Sequence, residues 1–268
     1  MLGRTRPLFS RAAWPAVRAA IGDPKRRLLL AFDLDGTLAP IASRPEAASV
    51  GQVTLALLAK AANLRGVRVV VISARPLRDL RRLVPDTRVA KIAQYGLEGP
   101  LAPHHETRRR IRKAVRVMTA RLEAAVKPFR GAWIEPKGLS VAVHHRALSR
   151  RRRAALGRRL RAEERAAEAL GLGTQLGDRV NDFVPIGYHK GRALDALRAR
   201  IRAGMTTFFG DSASDEPAFA ALAPTDISVR VGPGPTAARY RVRGPHDVTR
   251  FVRALVAERT QGHSSRRR

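Results

Sequence analysis

The sequence predicts an α/β protein: a doubly wound parallel-sheet core with an α+β module inserted into it. Three observations predict this class. Leu28–Phe32 is a short, wholly apolar run that ends on an acidic pair, the pattern of a parallel strand buried on both faces. The β-branched run Val67–Ile72 repeats that pattern, and helical spacing follows both runs. Between residues 102 and 188 the rhythm changes to helix, hairpin, helix, hairpin, and after Lys190 strand and helix alternate again.

In chain order, residues 1–24 are expected to form a loosely docked helix ending near Gly22-Asp23-Pro24. A helix is expected over 50–63, with Gly66 as its C-terminal cap. A short helix (77–83) and a third strand (88–93) complete the first half of the core. The insertion opens with a basic amphipathic helix over 107–126. Strands at 131–135 and 139–145 follow, joined by the turn Pro136-Lys137-Gly138. A second helix (149–170) precedes strands at 173–176 and 179–184. The core resumes with a helix to residue 202, a strand at 205–209, a helix at 214–222, a strand at 226–231 and a last helix near 247–257. The expected division is a helical extension (1–24), a Rossmann-like core (25–101 and 189–258), the inserted α+β module (102–188) and a disordered basic tail (259–268).

The 268 residues are 44% hydrophobic, enough for a packed core. There is no apolar run of about 18 residues, so no membrane-spanning helix is expected. Arg4, Arg6 and Arg11 precede a segment broken by Pro15 and Arg18, so no secretory leader is expected. The absence of cysteine excludes disulfides, thiolate metal sites and cysteine nucleophiles, and the cytoplasm is the expected compartment. The net charge is +30, and all but seven of the 52 basic residues are arginine. They are spread along the whole chain, as codon bias would spread them. They are densest over 108–121 and 146–165, where helical spacing and scarce aromatics indicate solvated faces. No specific nucleic-acid or membrane partner is expected, although such a surface attracts anionic substrates.

Four polar points fall at the ends of core strands or the start of a core helix: Asp33 with Asp35, Ser73, Lys190, and Asp211 with Asp215. In an open parallel sheet the carboxyl ends of the strands share one crevice, so these residues can converge. Their types suit phosphoryl transfer. One carboxylate (Asp33) can attack phosphorus, and a second two residues on (Asp35) can protonate the leaving alkoxide and then activate water. Asp33, Asp35 and Asp211 supply the oxygen ligands that Mg²⁺ prefers, with Asp215 supporting the metal or the lysine. The Ser73 hydroxyl and the Lys190 ammonium can hold the remaining phosphoryl oxygens.

The order Asp-x-Asp-Gly-Thr, Ser, Lys, Gly-Asp-x3-Asp resembles the haloacid dehalogenase superfamily of phosphatases, over about residues 28–231. Within it, five stretches resemble the trehalose-6-phosphate phosphatase family. They are Asp33-Leu34-Asp35-Gly36-Thr37-Leu38-Ala39-Pro40-Ile41, Ser73-Ala74-Arg75-Pro76, Tyr95-Gly96-Leu97-Glu98, the run from Glu135 to Arg146, and the run from Gly210 to Phe219. The resemblance implies that the inserted module is a cap and that the substrate is trehalose 6-phosphate. It further implies that Gly36, Arg75, Glu135, Lys137, Arg146 and Asp182 meet that substrate. The sequence departs from the family pattern at Ala74 (Gly), His145 (Tyr), Ser212 and Ser214 (Asp and Thr). After Asp182 it also lacks the family's arginine. Two other readings are a phosphatase for a different sugar phosphate, such as a sucrose or mannosyl ester, and a polyanion-binding protein with a vestigial site.

Overall fold

The computed structural model describes residues 5–264. In chain order it runs β1 (Arg6–Pro7), α1 (Trp14–Gly22), β2 (Leu28–Phe32), α2 (Gln52–Ala62), β3 (Val67–Ile72), α3 (Leu77–Leu83), β4 (Ala90–Ile92), α4 (His105–Val126), β5 (Trp133–Pro136) and β6 (Val141–His144). It continues with α5 (Arg150–Ala169), β7 (Leu172–Gly177), β8 (Val180–Pro185), α6 (Lys190–Ile201), β9 (Met205–Gly210), α7 (Glu216–Ala221), β10 (Ile227–Val231), β11 (Tyr240–Val242) and α8 (Pro245–Ser264).

Seven strands form a parallel sheet in the order β1-β11-β10-β9-β2-β3-β4. The alternation of side chains along β2 shows why both faces are covered. Leu28, Leu30 and Phe32 point into a cluster that includes Val17, Ile21, Leu58, Phe251 and Leu255 from α1, α2 and α8. Leu29 and Ala31 point the other way, against Leu194 and Phe219 of α6 and α7. From β2 the chain first moves to one side (β3, β4) and later returns on the other (β9, β10). The switch point therefore lies at the carboxyl ends of β2 and β9, where such sheets open a crevice.

The second sheet is antiparallel, in the order β5-β6-β8-β7. Its buried face carries Val141, Val143 and Phe183. They pack on Ile111, Val115, Met118 and Leu122 of α4 and on Leu156 and Leu160 of α5. Those helix positions recur at three- and four-residue intervals, and most of the arginines between them are exposed. Ser149 caps α5 by accepting from the Arg152 amide.

Three expectations need correction. Among the described residues 5–24 the helix expected to end near Gly22 is present as α1, but it is firmly rather than loosely docked. Arg6–Pro7 adds an edge strand beside β11, Leu8 is fully buried, and Val17 and Ile21 anchor α1 in the core. Phe9, Trp14 and Phe251 pack in series, the first pair tilted and the second edge to face. Gly66 does not cap α2, which ends at Ala62 with Asn63 as its cap. Its φ of +77° instead turns the chain into β3, and its carbonyl accepts from the Leu28 amide. Residues 259–264 belong to α8 rather than to a disordered tail, because the buried Arg259 guanidinium donates to the carbonyls of Ile21 and Arg26. Ser265 and the three terminal arginines lie outside the described residues.

Candidate active site

Asp33 follows β2 directly, and its amide donates to the Phe209 carbonyl, which ties the end of β2 to β9. The chain then doubles back: the amides of Leu38 and Ala39 donate to the Leu34 carbonyl, and Gly36 donates to Ala39. Gly36 has a φ of +76°, and a Cβ placed on it would fall 1.9 Å from Asp211 Oδ2. Only glycine allows the loop to press against that carboxylate.

Lys190, the first residue of α6, is buried between two carboxylates. Its Nζ lies 2.8 Å from Asp33 Oδ1 and 2.7 Å from Asp215 Oδ1. The other Asp215 oxygen accepts from the amides of Asp211 and Ser212 and from the Ser212 hydroxyl. Asp215 thus braces the turn after β9 and Lys190 together. Oxygens of Asp33, Asp211 and Asp215 lie within 4.8 Å of one another, a donor set suited to a hard divalent cation. The Asp35 carboxylate is not in that trio. It is held in a two-point pair by Arg75, Nε to Oδ2 at 2.7 Å and Nη2 to Oδ1 at 2.8 Å, while Arg75 Nη1 donates to the Pro45 carbonyl. Ser73 is buried at the end of β3, and its Oγ accepts from the Arg75 amide at 3.2 Å.

The cap sheet lies over these groups. In its register Trp133 opposes His144, and Glu135 opposes Ala142, which opposes Asp182 on β8. One face of the sheet therefore presents Trp133, Glu135, His144 and Asp182 together. Core and cap meet through a polar network. Tyr95 Oη donates to Asp182 Oδ2 at 2.9 Å, and Lys137 Nζ lies 2.6 Å from Asp182 Oδ1. Gln94 Nε2 donates to the Lys137 carbonyl, and Ser140 Oγ donates to Gln94 Oε1. Gln94 and Tyr95 reach across from successive left-handed conformations (φ 45° and 60°), a strain that the network over-determines.

The cleft between core and cap has a cavity volume of about 170 Å³. Among its lining residues are Asp33, Asp35, Ser73, Arg75, Glu135, Lys137, Arg146, Asp182, Lys190 and Asp211. Gly36 and Asp215 act from behind it. Several expected substrate contacts are engaged elsewhere in this arrangement: Arg75 with Asp35, Lys137 with Asp182, and Arg146 with Asp178. Trp133, His144 and Tyr95 also line the cleft, and residue types alone did not single them out. The signal for Trp133 was its spacing of two from Glu135, which puts both on one face of a strand.

Residues 31–246 match the family model described as trehalose-phosphatase. The chain belongs to the trehalose-phosphatase family. It is 31% identical over 251 residues to an uncharacterised glycosyl hydrolase of Mycobacterium tuberculosis, covering 87% of this chain but only 18% of that protein. It is 27% identical over 250 residues to the trehalose-6-phosphate phosphatase of Escherichia coli, covering 88% of this chain and 89% of that one. The fold matches the C-terminal domain of a Candida albicans trehalose-6-phosphate phosphatase with a TM-score of 0.77 at 17% identity, over 95% of this chain and 99% of that one.

This trehalose-phosphatase family member carries strongly perturbed carboxylates. Burial pushes Asp33 well above the usual carboxylate range; Lys190 opposes the shift, while Asp215 and Asp211 add to it. Burial, and then Asp215, push Asp211 up to about 7. Burial alone would depress Lys190, but the charges of Asp215 and Asp33 reverse that and raise it. The departures from the family pattern leave this centre intact. Ser212, where the family has aspartate, donates its hydroxyl to Asp215 instead of adding another negative charge. His145, in place of tyrosine, bonds Asn181 through Nε2.

Proposed function

We propose that this chain is a magnesium-dependent phosphatase that converts trehalose 6-phosphate and water to trehalose and inorganic phosphate through an aspartyl-phosphate on Asp33. The observation that carries this reading is the position of Asp33, paired with buried Lys190 on the floor of the same cleft that the cap stretch from Glu135 to Arg146 roofs. We further propose a core of residues 25–101 and 189–258 and a cap of residues 102–188. No helix of the described residues is long and apolar enough to cross a membrane, and we propose the cytoplasm as the working compartment.

Asp33 attacks phosphorus, while Lys190 and the Ser73 hydroxyl donate to the phosphoryl oxygens. Asp35, protonated once Arg75 leaves it for the substrate phosphate, gives its proton to the departing sugar oxygen. It then takes one from the water that hydrolyses the acyl-phosphate. Asp33 and Asp211 through their carboxylates, and Asp35 through its main-chain carbonyl, would hold the magnesium ion, with Asp215 in support. Bound there, magnesium neutralises phosphate charge and favours the ionised carboxylates. Closure of the cap excludes water from the acyl-phosphate until the sugar has left.

Phosphate release from trehalose 6-phosphate in excess Mg²⁺, and its loss in EDTA with recovery on re-addition, tests the reading. Release that is indifferent to chelation would refute the metal dependence.

Metal binding should also stabilise the protein in a pH-dependent way. Asp211 is raised from 3.8 to about 7, so its unionised form is the one the metal-free fold favours. That stability is complete below about pH 4 and is lost as pH rises through about 7. A cation needs the ionised form and restores what was lost. The rise in Tm on adding Mg²⁺ is therefore expected to be larger at pH 8 than at pH 5.5. An equal rise at both, measured by thermal shift, would contradict the assignment of Asp211.

A further inference from the structure

We infer that Trp133 is a sugar-stacking residue of the cap and that its indole sets the preference for a pyranose ring next to the scissile phosphate. The inference deepens the proposed function and rests on it for the identity of the sugar.

Trp133 pairs across the β5–β6 ladder with His144, and the two rings stack with centroids 4.0 Å apart and planes 8° from parallel. The imidazole is fixed in turn, because Nε2 lies 2.7 Å from Glu135 Oε2, and Glu135 is 3.9 Å from Lys137 Nζ. The indole is thus backed on one face by a ring that is itself held by a hydrogen bond. Trp133 itself is 43% exposed and lines the cleft that also holds Asp33.

The surroundings specify the ligand's chemistry. Of the large apolar side chains exposed among the described residues, only Trp133 from the cap and Ile41 from the loop after Asp33 line this cleft. The rest of the lining is rich in charged donors and acceptors, among them Glu135, Lys137, Arg146, Asp178 and Asp182. A pyranose matches that combination: its hydroxyl edge needs paired donors and acceptors, and its C–H face needs a flat apolar surface. Trp133 is accordingly a specificity residue that acts on the sugar, with His144 and Glu135 as its positioning residues.

The test compares Trp133→Ala and Trp133→Phe with wild type in the full magnesium-loaded chain, on trehalose 6-phosphate and on acetyl phosphate, with Tm measured for each. Trp133→Ala should raise KM for the sugar ester by about tenfold or more, with kcat within about twofold, and leave kcat/KM on acetyl phosphate, which has no ring to stack, unchanged. Trp133→Phe should recover most of the loss. An unchanged KM for the sugar ester, or an equal loss on both substrates, would overturn the inference. If the wild type prefers a different hexose phosphate, the trehalose reading fails and the same comparison on that ester decides the role of Trp133. A wild-type preference for nucleoside monophosphates over every sugar ester would overturn it as well.

Discussion

Asp33→Asn is expected to abolish phosphate release, with kcat falling by about a thousandfold or more, while the protein stays folded. The amide keeps the shape of the side chain but cannot form the aspartyl-phosphate. It also removes a buried charge that Asp211 and Asp215 repel. Lys190 would keep its 2.7 Å contact with Asp215. The expected signature is therefore loss of turnover with Tm close to that of wild type, read by phosphate release and thermal melting on the same preparation. Retained turnover would remove Asp33 as the nucleophile.

Lys190→Met is expected to be costly in both readouts. The ammonium is 2% exposed and is the cation within salt-bridge distance of both Asp33 and Asp215. Removing it leaves two buried carboxylates facing each other, a loss on the order of 3–5 kcal/mol. In a chain of this size that corresponds to a fall in Tm of roughly 6–20 °C. The coupling has a sign that can be checked. Adding Asp33→Asn to Lys190→Met removes one of the stranded charges, so the double variant should melt higher than Lys190→Met alone. A double variant that melts lower than either single change would mean that Lys190 is held by packing rather than by charge.

The parts of the molecule legible in the sequence are those where burial leaves a compositional mark. β2, β3 and β9 are almost wholly buried, so they read as apolar runs, and the residues that follow them read as a site. The helical stripe of Ile111, Val115, Met118 and Leu122 on α4 was legible for the same reason. Arg6–Pro7 was not, because two residues carry no period, and their place beside β11 is decided by a partner more than 230 residues away. Arg259 reads as one more surface arginine, and only the tertiary fold supplies the carbonyls that bury it.

Within the site, the acidic and lysine positions followed from chemical type and spacing. What each side chain touches did not. The pairing of Asp35 with Arg75, and that of Asp182 with Tyr95 and Lys137, depend on loops brought together from distant segments. The Trp133–His144 stack depends on strand register, which one residue of slip would have placed on the opposite face.

The most direct test of the central claim is kcat/KM for phosphate release by the wild-type chain across trehalose 6-phosphate, sucrose 6-phosphate, a mannosyl phosphate ester, glucose 6-phosphate and p-nitrophenyl phosphate. The account predicts that trehalose 6-phosphate exceeds every other ester by about tenfold or more, since the cap groups that meet the sugar lower its transition state relative to free enzyme and ester. A clear preference for another ester, or no turnover of any of them in excess Mg²⁺, would contradict it.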